Sequence, residues 1–204
     1  MTNLFGDNID PPKAKGYSSI YKTLGASNHC DYDREANDLY CTHPSAVEAL
    51  CDLETFSPTI WEPCAGLGHI SQVLRSRGYK VRESDILTRG RNIQKLDFLL
   101  CDEHFDGDII TNPPYKIATS IIRRAMEVVT EGNRVAMWLR ILYLESLERK
   151  QLFEEYPPQQ VWISSKRIPC AMNGDFEHIS SSAQGYMWLI FQKGCRDETK
   201  IGWF

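Results

Sequence analysis

Between Thr59 and Gln192, short runs rich in β-branched and aromatic residues alternate with stretches of helical spacing, and this alternation restricts the fold more than any other feature. Thr59–Pro63, Tyr79–Ser84, Gly107–Thr111, Arg134–Leu139, Gln160–Ile163 and Gly185–Gln192 read as strands. Ile70–Arg77 with Gly78 as its stop, Ala118–Thr130 closed by Gly132, and Glu145–Tyr156 halted by Pro157-Pro158 read as helices. Pro44–Leu53 has Ala46, Val47 and Leu50 at helical spacing, with proline in its first turn, and is predicted to be a further helix. Parallel neighbours need a crossover that helices supply, so the pattern predicts an α/β domain with helices on both faces of a parallel sheet. At 204 residues the chain suits one domain with a real core and is short for two.

The most specific chemistry lies where one strand should end, at Thr111-Asn112-Pro113-Pro114-Tyr115. Two prolines stop the strand abruptly and leave carbonyls without competing amide donors nearby. The Asn112 side-chain oxygen and the Pro113 carbonyl can then converge on one planar amino group, with the Tyr115 ring close enough to stack on whatever bears it. A plain Pro-Pro turn capping a strand is the bland alternative.

Upstream, Trp61-Glu62-Pro63-Cys64-Ala65-Gly66-Leu67-Gly68 reads as strand, glycine turn and helix start, where backbone amides approach a ligand. It lacks the third glycine of the dinucleotide fingerprint. The next strand ends in Asp85, at about the spacing where open α/β sheets hold a ribose hydroxyl; Glu83, on the same strand face, is its rival. Asp97-Phe98 sets a carboxylate beside a ring, able to bind an amino group and cover a purine face.

In this order the motifs resemble those of the S-adenosylmethionine-dependent amino methyltransferases, and most closely the small N6-adenine DNA methyltransferases of phages and prophages. Asn37-Asp38-Leu39-Tyr40-Cys41-Thr42-His43-Pro44 resembles the N-terminal cofactor motif, Glu62–Gly68 the glycine motif, and Asn112-Pro113-Pro114-Tyr115 the catalytic motif. The closing Lys200-Ile201-Gly202-Trp203-Phe204 resembles the family's ending, with no chemistry attached.

The resemblance implies a Rossmann-like methyltransferase fold: a mostly parallel seven-stranded sheet with an antiparallel last strand. It implies S-adenosylmethionine as cofactor and adenine in DNA as substrate. Thr42 would meet the cofactor's carboxylate with Tyr40 nearby, and Gly66 and Gly68 would line its methionine part by backbone contact. Asp85 would hold the ribose, while Asp97 and Phe98 would take the adenine. Glu62, followed by Pro63, either contacts the cofactor or orients the glycine loop. Asn112 and Pro113 would accept from the amino group, with Pro114 shaping the turn and Tyr115 stacking on the flipped base. An extended arm is expected over residues 1–36 and one methyltransferase domain over 37–204, without a separate target-recognition domain. Recognition then falls to the irregular Ser164–Gln184 stretch with Lys166-Arg167, to the arm, or to a partner protein. A glutamine-amide or RNA amino methyltransferase, or a silent cofactor-binding module, are the other readings.

Net charge of −4 argues mildly against a nucleic-acid partner. Distribution matters more: Arg123-Arg124, Arg140, Arg149-Lys150 and Lys166-Arg167 crowd the second half, as a basic face or as solvated helix surfaces. Seven cysteines without a CxxC pair suggest reduced thiols, and His29-Cys30 with Cys41 and His43 match no common zinc spacing, so no metal is expected. No spanning apolar run or signal pattern is seen, and a cytoplasmic location in a bacterial host is expected.

Overall fold

The computed structural model describes residues 40–172, 174–177 and 182–204; the expected arm over 1–36 and Asn37-Asp38-Leu39 lie outside these residues, as do parts of the Ser164–Gln184 stretch. In chain order the elements are β1 (Tyr40–Thr42), α1 (Pro44–Leu53), β2 (Thr59–Glu62), α2 (His69–Ser76), β3 (Lys80–Asp85) and β4 (Gln94–Lys95). There follow β5 (Asp108–Thr111), α3 (Ala118–Val128), β6 (Arg134–Arg140), α4 (Leu147–Glu155), β7 (Gln160–Ile163), β8 (Cys170–Met172), β9 (Tyr186–Gln192) and β10 (Lys200–Trp203).

Eight strands form one sheet in the order β10-β7-β9-β6-β5-β2-β3-β4. Every pairing is parallel except those of β9, which runs antiparallel to both β6 and β7. The expected count of seven is therefore corrected to eight. Tyr186–Gln192 is antiparallel, yet it is not the last strand, because β10 follows it and pairs parallel with β7. Neither addition carries a local strand signal. β4 is two exposed polar residues, and β10 contains Gly202, whose missing side chain lets the Trp162 ring of β7 lie against it.

Side-chain alternation divides the core into two halves. Trp61, Ile109, Val135, Met137, Leu139, Met187, Leu189 and Phe191 join α3 on one face, whereas Ile60, Ile110, Ala136, Trp138, Trp188 and Ile190 join α1 and α2 on the other. Both faces are buried, which is why β5, β6 and β9 read as near-continuous apolar runs. Trp188 Nε1 donates to the Ala46 carbonyl at 2.8 Å, tying α1 to the sheet while satisfying the one polar atom of a fully buried ring. Because β2, β3, β5, β6 and β7 share one direction, Glu62, Asp85, Thr111, Arg140 and Ile163 finish on the same edge, and the functional site is built there. Among the described residues no helix is long and apolar enough to cross a membrane.

Candidate active site

A cavity of about 310 Å³ opens at the carboxyl ends of β2, β3 and β5, within the usual range for a small-molecule site of about 300–1,000 Å³. Its floor is the turn after β2. Gly66 and Gly68 take positive φ (50° and 84°), which glycine adopts without steric cost. Gly66 lines the cavity beside Pro63, whereas Gly68 begins α2 and does not reach it. A side chain at Gly68 would collide with the Arg91 guanidinium, so the close approach there is made by the protein's own arginine. Arg91 also donates to the Gly66 carbonyl at 3.2 Å and bonds Glu83, which pairs in addition with Arg75 at 2.7 Å. Burial would raise the Glu83 carboxyl, but the two arginines outweigh it and hold it below its ordinary value. Glu83 is thus spent on bracing and does not face the cavity.

Asp85 both builds the turn and faces the cavity. One oxygen accepts from the Gly66 amide at 2.8 Å and the other from Leu87 N at 2.9 Å, which leaves each a further lone pair for a ligand hydroxyl. Glu62, 2% exposed, accepts from the Ser71 amide at 2.9 Å and from the Ser71 hydroxyl. It lines the cavity and anchors the first turn of α2 through Ser71. Burial pushes its pKa up to about 8, against the Ser71 hydrogen bonds that pull it down. At the far wall, Asp97 caps the short 3₁₀ turn Phe98–Leu100 by accepting from Leu99 N at 3.1 Å. Phe98 packs edge-on against Trp61 with ring centroids 5.1 Å apart, and both Asp97 and Phe98 line the cavity.

The Asn112-Pro113-Pro114-Tyr115 motif closes the other side. Asn112 and Pro114 line the cavity, while Pro113 is buried between them and does not reach it. Asn112 Nδ2 donates to the Tyr40 carbonyl at 2.8 Å. A carbonyl only accepts, so the amino end of the carboxamide must face it, and Oδ1 is left as a free acceptor. Tyr115 does not line the cavity; its half-buried ring packs against both core halves, and the Arg140 guanidinium lies 4.9 Å from the ring centre. Burial, with Cys170 and Tyr186 adding to it, raises the Tyr115 phenol well above its ordinary value, so it stays protonated.

Strand β1 crosses this site through a pairing that local sequence does not announce. It runs antiparallel to β8, with Cys41 opposite Ala171 and Thr42 opposite Cys170, in a two-stranded ribbon separate from the main sheet. Tyr40 and Thr42 thereby line the cavity, and the Thr42 hydroxyl is buried there without a partner among the described residues. Phe176, beyond β8, sits edge-on to His43 at 5.0 Å and to His69 at 5.3 Å. Lys166 and Arg167 are exposed and do not line the cavity. The cavity also takes in His69, Ile86, Arg89 and Lys116, which the motif reading passed over. Their only signal was position, directly after the glycine turn, after β3, and after the Asn-Pro-Pro-Tyr motif. His69 is held below its ordinary pKa by burial, with Arg91 adding to the effect. Among the described residues no group of three or more potential ligands could hold a metal ion.

No family model matches the sequence, and no curated protein matches it. Solved structures do match in fold. An S-adenosylmethionine-dependent O-methyltransferase from Thermotoga maritima aligns with a TM-score of 0.54 at 15% identity, over 78% of this chain and 69% of its own. A TehB-like S-adenosylmethionine-dependent methyltransferase from Corynebacterium glutamicum gives 0.51 at 11% identity, over 87% and 96%. The type IIG restriction endonuclease BpuSI gives 0.58 at 13% identity, over 80% of this chain and only 27% of that one. The chain has the Rossmann-like methyltransferase fold. At these identities the likeness establishes the architecture; the chemistry rests on the site itself.

Proposed function

We propose that this chain is an S-adenosylmethionine-dependent methyltransferase that methylates the N6 amino group of adenine in DNA. The observation that carries the reading is Asn112, whose amino end is held by the Tyr40 carbonyl so that Oδ1 is a fixed acceptor at the cavity wall, beside Pro113. The cavity's donor set suits the cofactor. The unpartnered Thr42 hydroxyl suits its carboxylate, the Asp85 oxygens its ribose, and Asp97 an adenine amino group. Leu96, Leu99 and Ile121 supply apolar walls for a ring.

When bound, S-adenosylmethionine supplies an electrophilic methyl group on a sulfonium. The chain's task is to make a delocalised nitrogen attack. Asn112 Oδ1 would bind one amino hydrogen at the cavity wall, and the Pro113 backbone carbonyl, outside the cavity lining, would take the other as the base enters. This favours a more tetrahedral nitrogen and stabilises the positive charge that grows on it. Fixed dipoles suffice and no strong base is required. Asp85 and the glycine turn hold the donor in line, which lowers the barrier through orientation. The adenine must leave its duplex stack, at a cost of roughly a few kcal/mol that contacts at the site offset.

The test is transfer of labelled methyl to unmethylated duplex DNA, followed by nucleoside analysis. Label in N6-methyladenine is the expected result. Label in RNA or in a protein amide, but none in DNA, would overturn the acceptor assignment. Failure to bind S-adenosylmethionine would overturn the whole reading.

A further inference from the structure

Directly after β6, the 3₁₀ turn Ile141–Leu144 and the head of α4 hold three leucines in solvent: Leu142 is 57% exposed, Leu144 37% and Leu147 81%. None serves the core here, since α4 buries Leu152 alone. Yet the protein braces this knuckle heavily. Arg149 Nη1 donates to the carbonyls of Leu142 at 3.2 Å and Glu145 at 3.1 Å, and its guanidinium lies 4.4 Å from the Tyr143 ring centre. The Tyr143 hydroxyl shares a 2.9 Å hydrogen bond with Thr119, in the first turn of α3 behind the catalytic motif. Ser146 holds φ 101° and ψ 152°, a strained region that residues with side chains rarely adopt. Strain and bracing that together keep apolar side chains in water mark an interaction surface.

The charges around it identify the partner. Arg123, Arg124 and Lys150 form ion pairs with Glu155, Glu127 and Glu154, as solvated helix faces do. Lys116, Lys166 and Arg167 form no ion pair among the described residues and stand exposed on the site's edge of the sheet. A side chain built at Gly185 would touch both Ile141 and Arg167, at 2.7 and 3.3 Å, which sets Arg167 beside the first residue of the knuckle. Glu145 and Glu148 lie on the knuckle itself, so phosphate contacts fall to Lys116, Lys166 and Arg167, the last of which also donates to the Ala183 carbonyl at 3.4 Å.

We propose that this knuckle is the duplex-docking surface of the enzyme: Leu142, Leu144 and Leu147 press into the base stack beside the extruded adenine, while Lys116, Lys166 and Arg167 hold phosphates. This rests on the DNA reading above. Apolar wedges entering a base step are a general means of stabilising an opened stack.

The experiment compares methyl transfer to duplex and to single-stranded DNA of the same sequence. Leu142→Ser/Leu147→Ser should lower kcat/KM on the duplex by about tenfold or more, and on the single strand by less than about twofold, because only the duplex has a stack to open. Lys166→Gln/Arg167→Gln should weaken duplex binding and reduce the slope of log affinity against log salt by about 1–2. Thermal midpoint and S-adenosylmethionine affinity should stay unchanged in both variants, since the altered side chains are exposed. Equal losses on both substrates, or none on either, would overturn the wedge. If the wild type methylates no DNA, the methylation reading fails separately, and binding of a labelled duplex decides the surface. Salt-sensitive binding that the Lys166/Arg167 variant weakens upholds the surface, and absence of duplex binding overturns it.

Discussion

The two halves of the site edge are built on opposite principles. Around β2 and β3, the polar groups satisfy one another before any ligand arrives: Asp85 accepts two backbone amides, Glu62 is held by Ser71, and Glu83 by two arginines. At the carboxyl ends of β6 and β7, Lys166 and Arg167 form no ion pair among the described residues, three leucines face water and the Ser146 backbone holds a φ of 101°. A small ligand that enters a cavity gains from groups already in place, because ordering them afterwards would subtract from its affinity. A macromolecular surface has to stay hydrated until it docks, so its charges are left unpaired. Under the function proposed above, the first half suits a small molecule and the second a large, charged one.

The largest expected effect separates the halves at their junction. Asn112→Ala should lower methyl transfer by at least about a hundredfold, as loss of one fixed dipole at a reacting centre typically does, with cofactor affinity nearly intact. Full activity in that variant, measured in a single-turnover assay, would sink the assigned chemistry. Asp85→Ala should act the other way round. Removing a charged acceptor from a preformed turn should weaken S-adenosylmethionine binding by about ten- to a hundredfold by calorimetry, with the rate at saturation much less affected.

The third test concerns the cost of pre-forming the cofactor half. The folded Glu62 carboxyl has a pKa raised from 4.5 to about 8, so the folded state holds a proton that the unfolded chain releases. Its contribution to stability is complete below about pH 4.5 and is lost as pH climbs through about 8. The cofactor-free protein should therefore lose thermal stability between those values, and Glu62→Gln should flatten the curve. An unchanged slope would show that Glu62 is already ionised. The smallest effect belongs to Gly68→Ala, where φ 84° and the Arg91 contact predict a loss of about 1–2 kcal/mol in denaturant titration.

Much of this was legible in the chain. The ten predicted elements are present, Pro44–Leu53 and Gln160–Ile163 with the predicted bounds and the rest shifted by one or two residues, because period-2 and period-3.6 burial mark strands and helices buried against a common sheet. The glycine turn, Asp85, Asp97 and Asn112 meet at one cavity because parallel strands deliver their ends to one edge. What escaped were features with weak local patterns: β4, β10 and the β1–β8 ribbon are short, and pairing between distant residues is what makes them strands. The basic pairs looked alike in sequence, yet Arg123 and Arg124 are neutralised while Lys166 and Arg167 are not.

The sequence by itself determined the fold class and the identity of the chemical groups, since both follow from residue type, spacing and the period of burial. Tertiary structure alone decided that Asn112 would be turned by the carbonyl of Tyr40, that the Gly68 space would be taken by Arg91, and that three leucines would be braced in water. Those outcomes depend on contacts between residues far apart in the chain, where geometry selects one partner among many of similar chemistry.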